Sequence, residues 1–476
     1  MRVAWFSPLP PVRSGIATYS AELLPRLGHQ FDVHCYVDGA TSLSSRPSTS
    51  SGRREPVEPR GPQAPFDAHD FVWKQQREPY DLVVYQLGNA PCHDYMWPYL
   101  ARYPGLVVLH DARLHHARAR RLLNQKRFDD YRQEFWYDHP DATADFVEYA
   151  VEGLGGSIYS FWPMLRAAMR TARAIAVHNW RVAGELREQY GDVPIDVIRM
   201  GVASRGVARD TLFDAADGSS LDGDIDARTR VRREHELPDR AVVFAMFGKV
   251  TAEKRVAPIL RALAAVVAEG IDAFLLLVGD AAEYPTLAAE IRQFGVADRV
   301  RVTGYVGDEA VAAYLAAADA CLCLRWPTAQ ETSASWLRCL AAARATVITD
   351  LAHLVDVPTV DPSLSGPFPP GPAPIAIRVD LLEEEDSLRR AMQRLAADGR
   401  LRDDLARAGR AYWSREHTLD MMATDYRRVM KAAAARPAPA VADLPAHFTK
   451  DYAELASRVA RQFGVDVDIL RSKRRA

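Results

Sequence analysis

Short, unbroken apolar runs alternate along most of the chain with longer stretches whose apolar residues recur every three or four positions. In the first half the runs are RVAWFSP, FDVHCYV, DLVVYQLG, GLVVLHD, AIAVHN and IDVIRMGV. In the second half they are AVVFAMFG, AFLLLVGD, RVRVTGYV, ACLCLRW and ATVITD, with IAIRVD a later short one. Continuous Val, Ile and Leu runs of this length predict parallel strands buried on both faces. Between them IATYSAELLPRLG, RVAGELREQYG, AEKRVAPILRALAAVVAEG and DEAVAAYLAAADA read as helices. Such alternation predicts right-handed βαβ units wound on both faces of an open sheet. It happens twice. The expected fold is therefore α/β, with two Rossmann-like, doubly wound parallel-sheet domains.

The breaks in the pattern set the expected organisation: a first domain over 1–203, a linker or loop over 204–228 and a second domain over 229–412. A helical region follows over 413–433, then a Pro/Ala linker and terminal amphipathic helix over 434–476. The linker segment is polar and rich in Gly and Asp without a sustained period. A second polar insertion, DGATSLSSRPSTSSGRREPVEPRGPQAPFD, follows the second strand, and its Ser, Pro, Arg and Gly content cannot bury a core.

Composition narrows the class. A chain of 476 residues suits two domains, and 48% hydrophobic with 26% charged residues is soluble globular composition. A net charge of −2 argues against broad nucleic-acid binding. No apolar run approaches the ~20 residues that span a bilayer. MRVAWFSPLPP lacks the charged and apolar regions of a secretory signal and reads as a first strand. The five cysteines are odd in number and lie mostly in strand-like runs, so they read as reduced core residues of a cytoplasmic protein. Cys321 and Cys323 share a strand face, but no second pair exists to complete a metal site.

Four places could carry chemistry. Gly15 precedes the first helix, where a glycine lets backbone N–H groups approach a ligand; a Ser14 cap with a turn glycine explains the same residues. His110 ends the GLVVLHD strand, on the binding edge of such a sheet. His115 and His116 follow it, but the spacing of the three matches no standard zinc site. Lys249 follows a strand, and Lys254 is expected one turn into the next helix. Two cations beside a helix start suit a diphosphate, and two solvated lysines are the alternative. Glu331 lies where the ACLCLRW strand hands over to a helix, and the backbone of Thr332, Ser333 and Ala334 could cradle a phosphate. An acid there could instead simply stabilise the helix dipole, by ~0.3–1 kcal/mol.

In this order these residues resemble the retaining glycosyltransferases of family 4, the group 1 glycosyltransferases with the GT-B fold. The resemblance runs from the first residues to about Met430. It rests on SGIATYSAELL, YQLGNAPCHDYMWPYLARYPGLVVLHD, VIRMGV, FGKVTAEKRV, LLLVGD, VTGYV and RWPTAQETSASWLRCLAAARATVITD. It implies two domains facing across a cleft, the donor held mainly by the second and the acceptor mainly by the first, with 413–433 crossing back to the first. It puts Gly15 near the donor phosphates and transferred sugar, and His110 in the active site. It puts Lys249, where arginine is usual, and Lys254 on the diphosphate, and Glu331 on hydroxyls of the donor sugar. Backbone N–H groups of Thr332, Ser333 and Ala334 would meet the phosphates. The second glutamate of the paired motif, which binds the ribose, falls on Cys339. A thiol there implies donor binding weaker by roughly ten- to a hundredfold.

The resemblance therefore implies a retaining glycosyltransferase of hexosyl type, using a nucleotide-diphosphate sugar without cofactor or divalent metal. The acceptor would be a glycan, a lipid-linked sugar or a small molecule. A non-catalytic module that binds a sugar nucleotide or a partner, and a sugar-nucleotide epimerase of the same fold, are the alternatives. The basic end RSKRRA could touch anionic membrane at its inner face, with a solvated tail as the alternative.

Overall fold

The computed structural model describes residues 1–39, 64–154, 156, 158–204, 221–364, 371–440, 443–450 and 453–465. Most of the polar insertion after the second strand, part of the expected linker and the basic RSKRRA end lie outside them.

Fourteen strands form two seven-stranded parallel sheets. The first contains β1 (Arg2–Phe6), β2 (Asp32–Val37), β3 (Phe66–Asp67), β4 (Leu82–Leu87), β5 (Leu106–Leu109), β6 (Ala174–Val177) and β7 (Ile195–Val197), in the order β3-β2-β1-β4-β5-β6-β7. The second contains β8 (Val242–Phe247), β9 (Ala273–Val278), β10 (Val300–Val302), β11 (Ala320–Cys323), β12 (Ala345–Thr349), β13 (Thr359–Val360) and β14 (Ala376–Val379), ordered β10-β9-β8-β11-β12-β14-β13. Each order reverses direction once, between β1 and β4 and between β8 and β11. There the connections leave to opposite faces and open a crevice at the strands' carboxyl ends. The two-residue strands β3 and β13 are additions to the expected set.

Burial follows the pattern that predicted it. Every residue of β4, β5, β6, β9 and β12 is buried. One core spans both domains: Trp5, Tyr19 and Leu23 of the first pack with Trp336, Leu337 and Leu340 of the second, and Met422, Tyr426 and Val429 fill the space between. The last three lie on helix Leu419–Ala434, which rests against the first domain. Arg199 binds Asp425 of that helix at 2.8 Å.

Two expectations need correction. The second domain begins earlier than residue 229, because helix Leu221–Glu234 belongs to it. Arg228 and Arg232, one turn apart, both grip Asp319, at 2.8 and 2.7 Å. Lys254 is not inside a long helix. It ends a single 3-10 turn, Ala252–Lys254; Arg255 then adopts a left-handed conformation (φ 60°), and the helix starts at Val256.

Candidate active site

The carboxyl ends of β4, β5 and β6 form the first domain's rim of the cleft. His110 follows β5 and is 6% exposed. Its Nδ1 lies 3.3 Å from His178 Nε2, and His178 Nδ1 lies 2.8 Å from the Ile198 carbonyl. Its Nε2 lies 2.8 Å from the Gln86 side-chain amide, which in turn meets the Tyr426 hydroxyl; Tyr19 donates to that hydroxyl at 2.8 Å. Proton positions follow from the end of this chain. His178 must donate from Nδ1, because its partner there is a carbonyl, so the Nε2 of a neutral His178 accepts. With Gln86 Oε1 on His110 Nε2, the two imidazoles would confront each other as acceptors unless they shared a proton. Burial disfavours that cation: it pushes His178 down to about 4 and His110 well below the usual histidine range. The two ends of the Gln86 amide lie 3.1 and 3.3 Å from Tyr426 Oη, so exchanging them changes little in geometry. With the amide nitrogen on His110, every donor in the chain meets an acceptor. Both ring nitrogens of His110 are then engaged within the protein.

Asp111, the next residue, accepts the Asn89 N–H at 2.7 Å. Burial, and then the facing Glu331 carboxylate, push it up to about 7. Gly88 leaves room for it, since a β-carbon there would come within 3.2 Å of Asp111 Oδ2 and 2.8 Å of Ile16 Cδ1. Gly15 opens helix Gly15–Leu27, whose Ser14 cap accepts the Ile16 N–H, and the space at its α-carbon is open.

The second domain's rim is built from the ends of β8 and β11. Gly248 follows β8 with φ 84°, and a β-carbon there would lie 2.9 Å from Lys254 Nζ and 3.7 Å from Ser335 Oγ. Lys254 donates to the Phe247 carbonyl at 2.6 Å. Burial, then the nearby Arg325 guanidinium, bring its amine down to about 7. Lys249 is turned away on the surface, paired with Glu283 at 2.6 Å. Glu331 is held by its own loop: Arg325 Nε lies at 2.5 Å, and Thr328 Oγ1 and the Ala329 N–H both donate at 2.9 Å. Ser333 caps helix Ala334–Ala341 by accepting the Trp336 N–H. Thr332, Ser333 and Ala334 thus form a true helix start at the cleft.

Cys339 lies one turn beyond Ser335 on the same helix face, beneath the Gly248 turn and near Lys254. It is fully buried, 4.0 Å from Cys323 Sγ, and the Cys321 and Cys323 thiols together with burial raise its pKa well above the ordinary thiol value. The helix turns about 100° per residue, so the preceding position points elsewhere, towards the first domain. Arg338 there reaches Asp308 at 3.2 Å and Glu22 of the first domain at 3.5 Å. Thr18 donates to the same Asp308 at 2.6 Å, and Arg13 lies 4.1 Å from the Tyr305 ring centre. Further along, the domains touch through Ala112 N–H to Ala329 C=O (2.8 Å), Gln330 to Glu185 (2.9 Å) and Asn179 to the His353 carbonyl (2.9 Å).

The structure thus brings Gly15, His110, Lys254, Glu331 and the 332–334 helix start to one cleft, buries Cys339 beneath it near Lys254, and leaves Lys249 outside it. Asp111, His178, Arg325 and Arg338 join the site unforeseen. His178 ends a strand as His110 does, a signal present in AIAVHN. Among the described residues no group of three or more His, Cys, Asp or Glu side chains could hold a metal ion, and no helix is long and apolar enough to cross a membrane.

This architecture is the GT-B glycosyltransferase fold. Sucrose-phosphate synthase from Thermosynechococcus elongatus superposes with a TM-score of 0.58 at 14% identity, over 91% of this chain and all of the other. Anabaena HepE, solved with UDP and glucose, gives 0.58 at 13% identity, again over 91% of this chain and all of its own. Residues 241–363, most of the second domain, match the family Glycosyl transferases group 1. Alpha-D-kanosaminyltransferase from Streptomyces kanamyceticus is 26% identical over 234 residues, which is 49% of this chain. That match spans 56% of the relative's length.

Proposed function

We propose that the protein is a glycosyltransferase that moves a sugar from a nucleotide-diphosphate sugar to a hydroxyl acceptor with retention at the anomeric carbon. One observation carries this reading: Lys254, Glu331 and the helix start at 332–334 on one rim face Asp111 and His110 on the other. In the reaction the bond from the anomeric carbon to the diphosphate oxygen breaks, and its electron pair leaves on the diphosphate. The acceptor oxygen forms the new bond, and its proton ends on the departing phosphate. Negative charge therefore grows beside Lys254 and the helix start, where fixed donors act most strongly. Glu331 and Asp111 accept hydrogen bonds from sugar hydroxyls, and His110 forms a rigid wall behind them. The charge balance uses these groups without a divalent metal.

The nature of the group 1 match, the kanosaminyltransferase likeness and the UDP and glucose in HepE support this reading. Incubation with a panel of radiolabelled nucleotide sugars and mixed sugar acceptors tests it. Label should pass to an acceptor with the donor's anomeric configuration kept. Binding of UDP without transfer from any donor would favour a binding module, and isomerised nucleotide sugar an epimerase.

A further inference from the structure

A cavity of about 290 Å³ lies on the hinge side of this cleft, between the two domains. The residues after β6, the ends of β11 and β12, and the segment leading into helix Leu419–Ala434 enclose it. It shares Glu331, Thr332 and Ser333 with the proposed donor site. Neither Lys249 nor Lys254 lines it, although Arg325 and Cys323 in its wall stand near Lys254.

Three features define what it would hold. Its charges cancel: Arg181, Arg199 and Arg325 are matched by Glu331, Asp356 and Glu416. Arg325 already binds Glu331 at 2.5 Å, and Arg199 binds Asp425 at 2.8 Å and approaches Glu416 at 3.6 Å. No surplus cation remains to draw in a phosphate or carboxylate. Its walls are flat and apolar, with Trp336, Ile348, Leu354 and Tyr412 contributing. At its edge stands Trp180, 63% exposed, a large ring left in water at the first turn of helix Trp180–Gln189. Apolar faces flanked by carboxylate–guanidinium pairs match a ring that has C–H faces and a rim of hydroxyls.

We propose that this hinge-side cavity is the acceptor site, and that it takes an uncharged sugar or cyclitol ring stacked on Trp180. The assignment as an acceptor site rests on the transferase reading. Both domains line the cavity, so the ring and the closed cleft would stabilise each other.

Saturation-transfer NMR tests the assignment on the full chain, with free glucose, galactose, mannose, N-acetylglucosamine and myo-inositol as probes and glucose 6-phosphate as the charged control. At least one neutral ring should bind, and its signal should survive saturating UDP. Its affinity should fall up to roughly tenfold in Trp180→Ala, the scale of one aromatic contact. Trp180 is exposed, so that variant should keep its fold. Leu354→Trp, which fills the cavity, should abolish ring binding while UDP still binds. Displacement of the ring by UDP, tighter binding of glucose 6-phosphate, or no binding of any neutral ring would overturn the assignment. The two readings fail separately. Sugar transfer without ring binding sinks the cavity assignment alone, and ring binding without transfer from any nucleotide sugar sinks the transferase reading alone.

Discussion

The two rims of the cleft solve the same problem in opposite ways. On the first domain, Tyr19, Tyr426, Gln86, His110 and His178 form one buried chain in which each polar group is satisfied by another that cannot move far. On the second domain, Lys254 rests on a main-chain carbonyl, Glu331 on Arg325, and Arg338 on Glu22 and Asp308. Apart from Glu22, which reaches across from the first domain, these partners belong to the same domain. A buried network with every member paired rigidifies what it touches, whereas charges resting on weak or shared partners can be claimed by a ligand. The first rim is a finished wall, and the second is a set of charges awaiting a diphosphate. Experiments can attack either half of that contrast.

The largest effect should come from the helix that carries the second rim. Cys339→Glu would bury a carboxylate among two other thiols, with the buried Lys254 amine as its nearest cation. Taking a new charge out of water costs several kcal/mol even when it is paired. We expect a protein that melts well below the wild type. A stable Cys339→Glu protein with tighter UDP binding would give position 339 the ribose role.

Next is Lys254. Lys254→Ala should lower kcat/KM by roughly a hundredfold, the scale of one preorganised donor lost at the leaving group. Its melting temperature should not fall in acid. The folded amine titrates at about 7 against an ordinary 10.5, so below pH 7 the wild type must bury a cation that the variant lacks. Unchanged turnover would return Lys254 to a structural lysine tied to the β8 carbonyl.

A smaller effect is expected at the first rim. Tyr426→Phe removes the donor that fixes Gln86 and leaves buried partners unpaired, a cost of about 1–3 kcal/mol. Because the wall only backs the site, UDP affinity should stay within about twofold on this reading. Nitrogen-15 NMR gives the decisive readout. In the wild type His110 and His178 should both be neutral and protonated at Nδ1. A wild-type spectrum with His110 protonated at Nε2 would refute the chain of donors.

The fold was legible in the sequence because buried parallel strands leave an unmistakable mark: twelve apolar runs became twelve strands. The missed strands, Phe66–Asp67 and Thr359–Val360, are two residues each, too short to carry a period. The site was legible where it depends on strand ends and helix starts, as with His110, Glu331 and Ser333. It was not legible where it depends on helix phase. Motif spacing pointed to Cys339, but its burial against Cys321 and Cys323 comes from tertiary packing that spacing along one helix does not show. Lys249 and Lys254 looked equivalent along the chain. The left-handed Arg255 and the tight Gly248 turn sent one inward, and Glu283 drew the other out. Asp111 was visible beside His110, but its altered acidity comes first from burial and then from Glu331, 220 positions away in the chain.

The smallest effect is a proton. In the free protein Lys254 titrates near 7 and Asp111 also near 7, from opposite directions. For Lys254 the folded value lies below the ordinary one, so stability rises with pH between about 7 and 10.5. For Asp111 the folded value lies above its ordinary 3.8, so stability falls as pH rises from there towards 7. UDP separates the two. A diphosphate beside Lys254 favours the ammonium and raises its pKa, while Asp111, on the opposite rim, is already ionised at pH 8. Binding at pH 8 should therefore take up a proton, approaching about one per UDP bound, and binding at pH 6 almost none at this amine. Calorimetry in buffers of different ionisation enthalpy measures that number directly. Lys254→Met should abolish the uptake, and Asp111→Asn should leave it intact. Tight UDP binding at pH 8 with no proton taken up would mean that Lys254 stays on the Phe247 carbonyl when the nucleotide arrives. The second rim would then be as fixed as the first, and the contrast between them would fail.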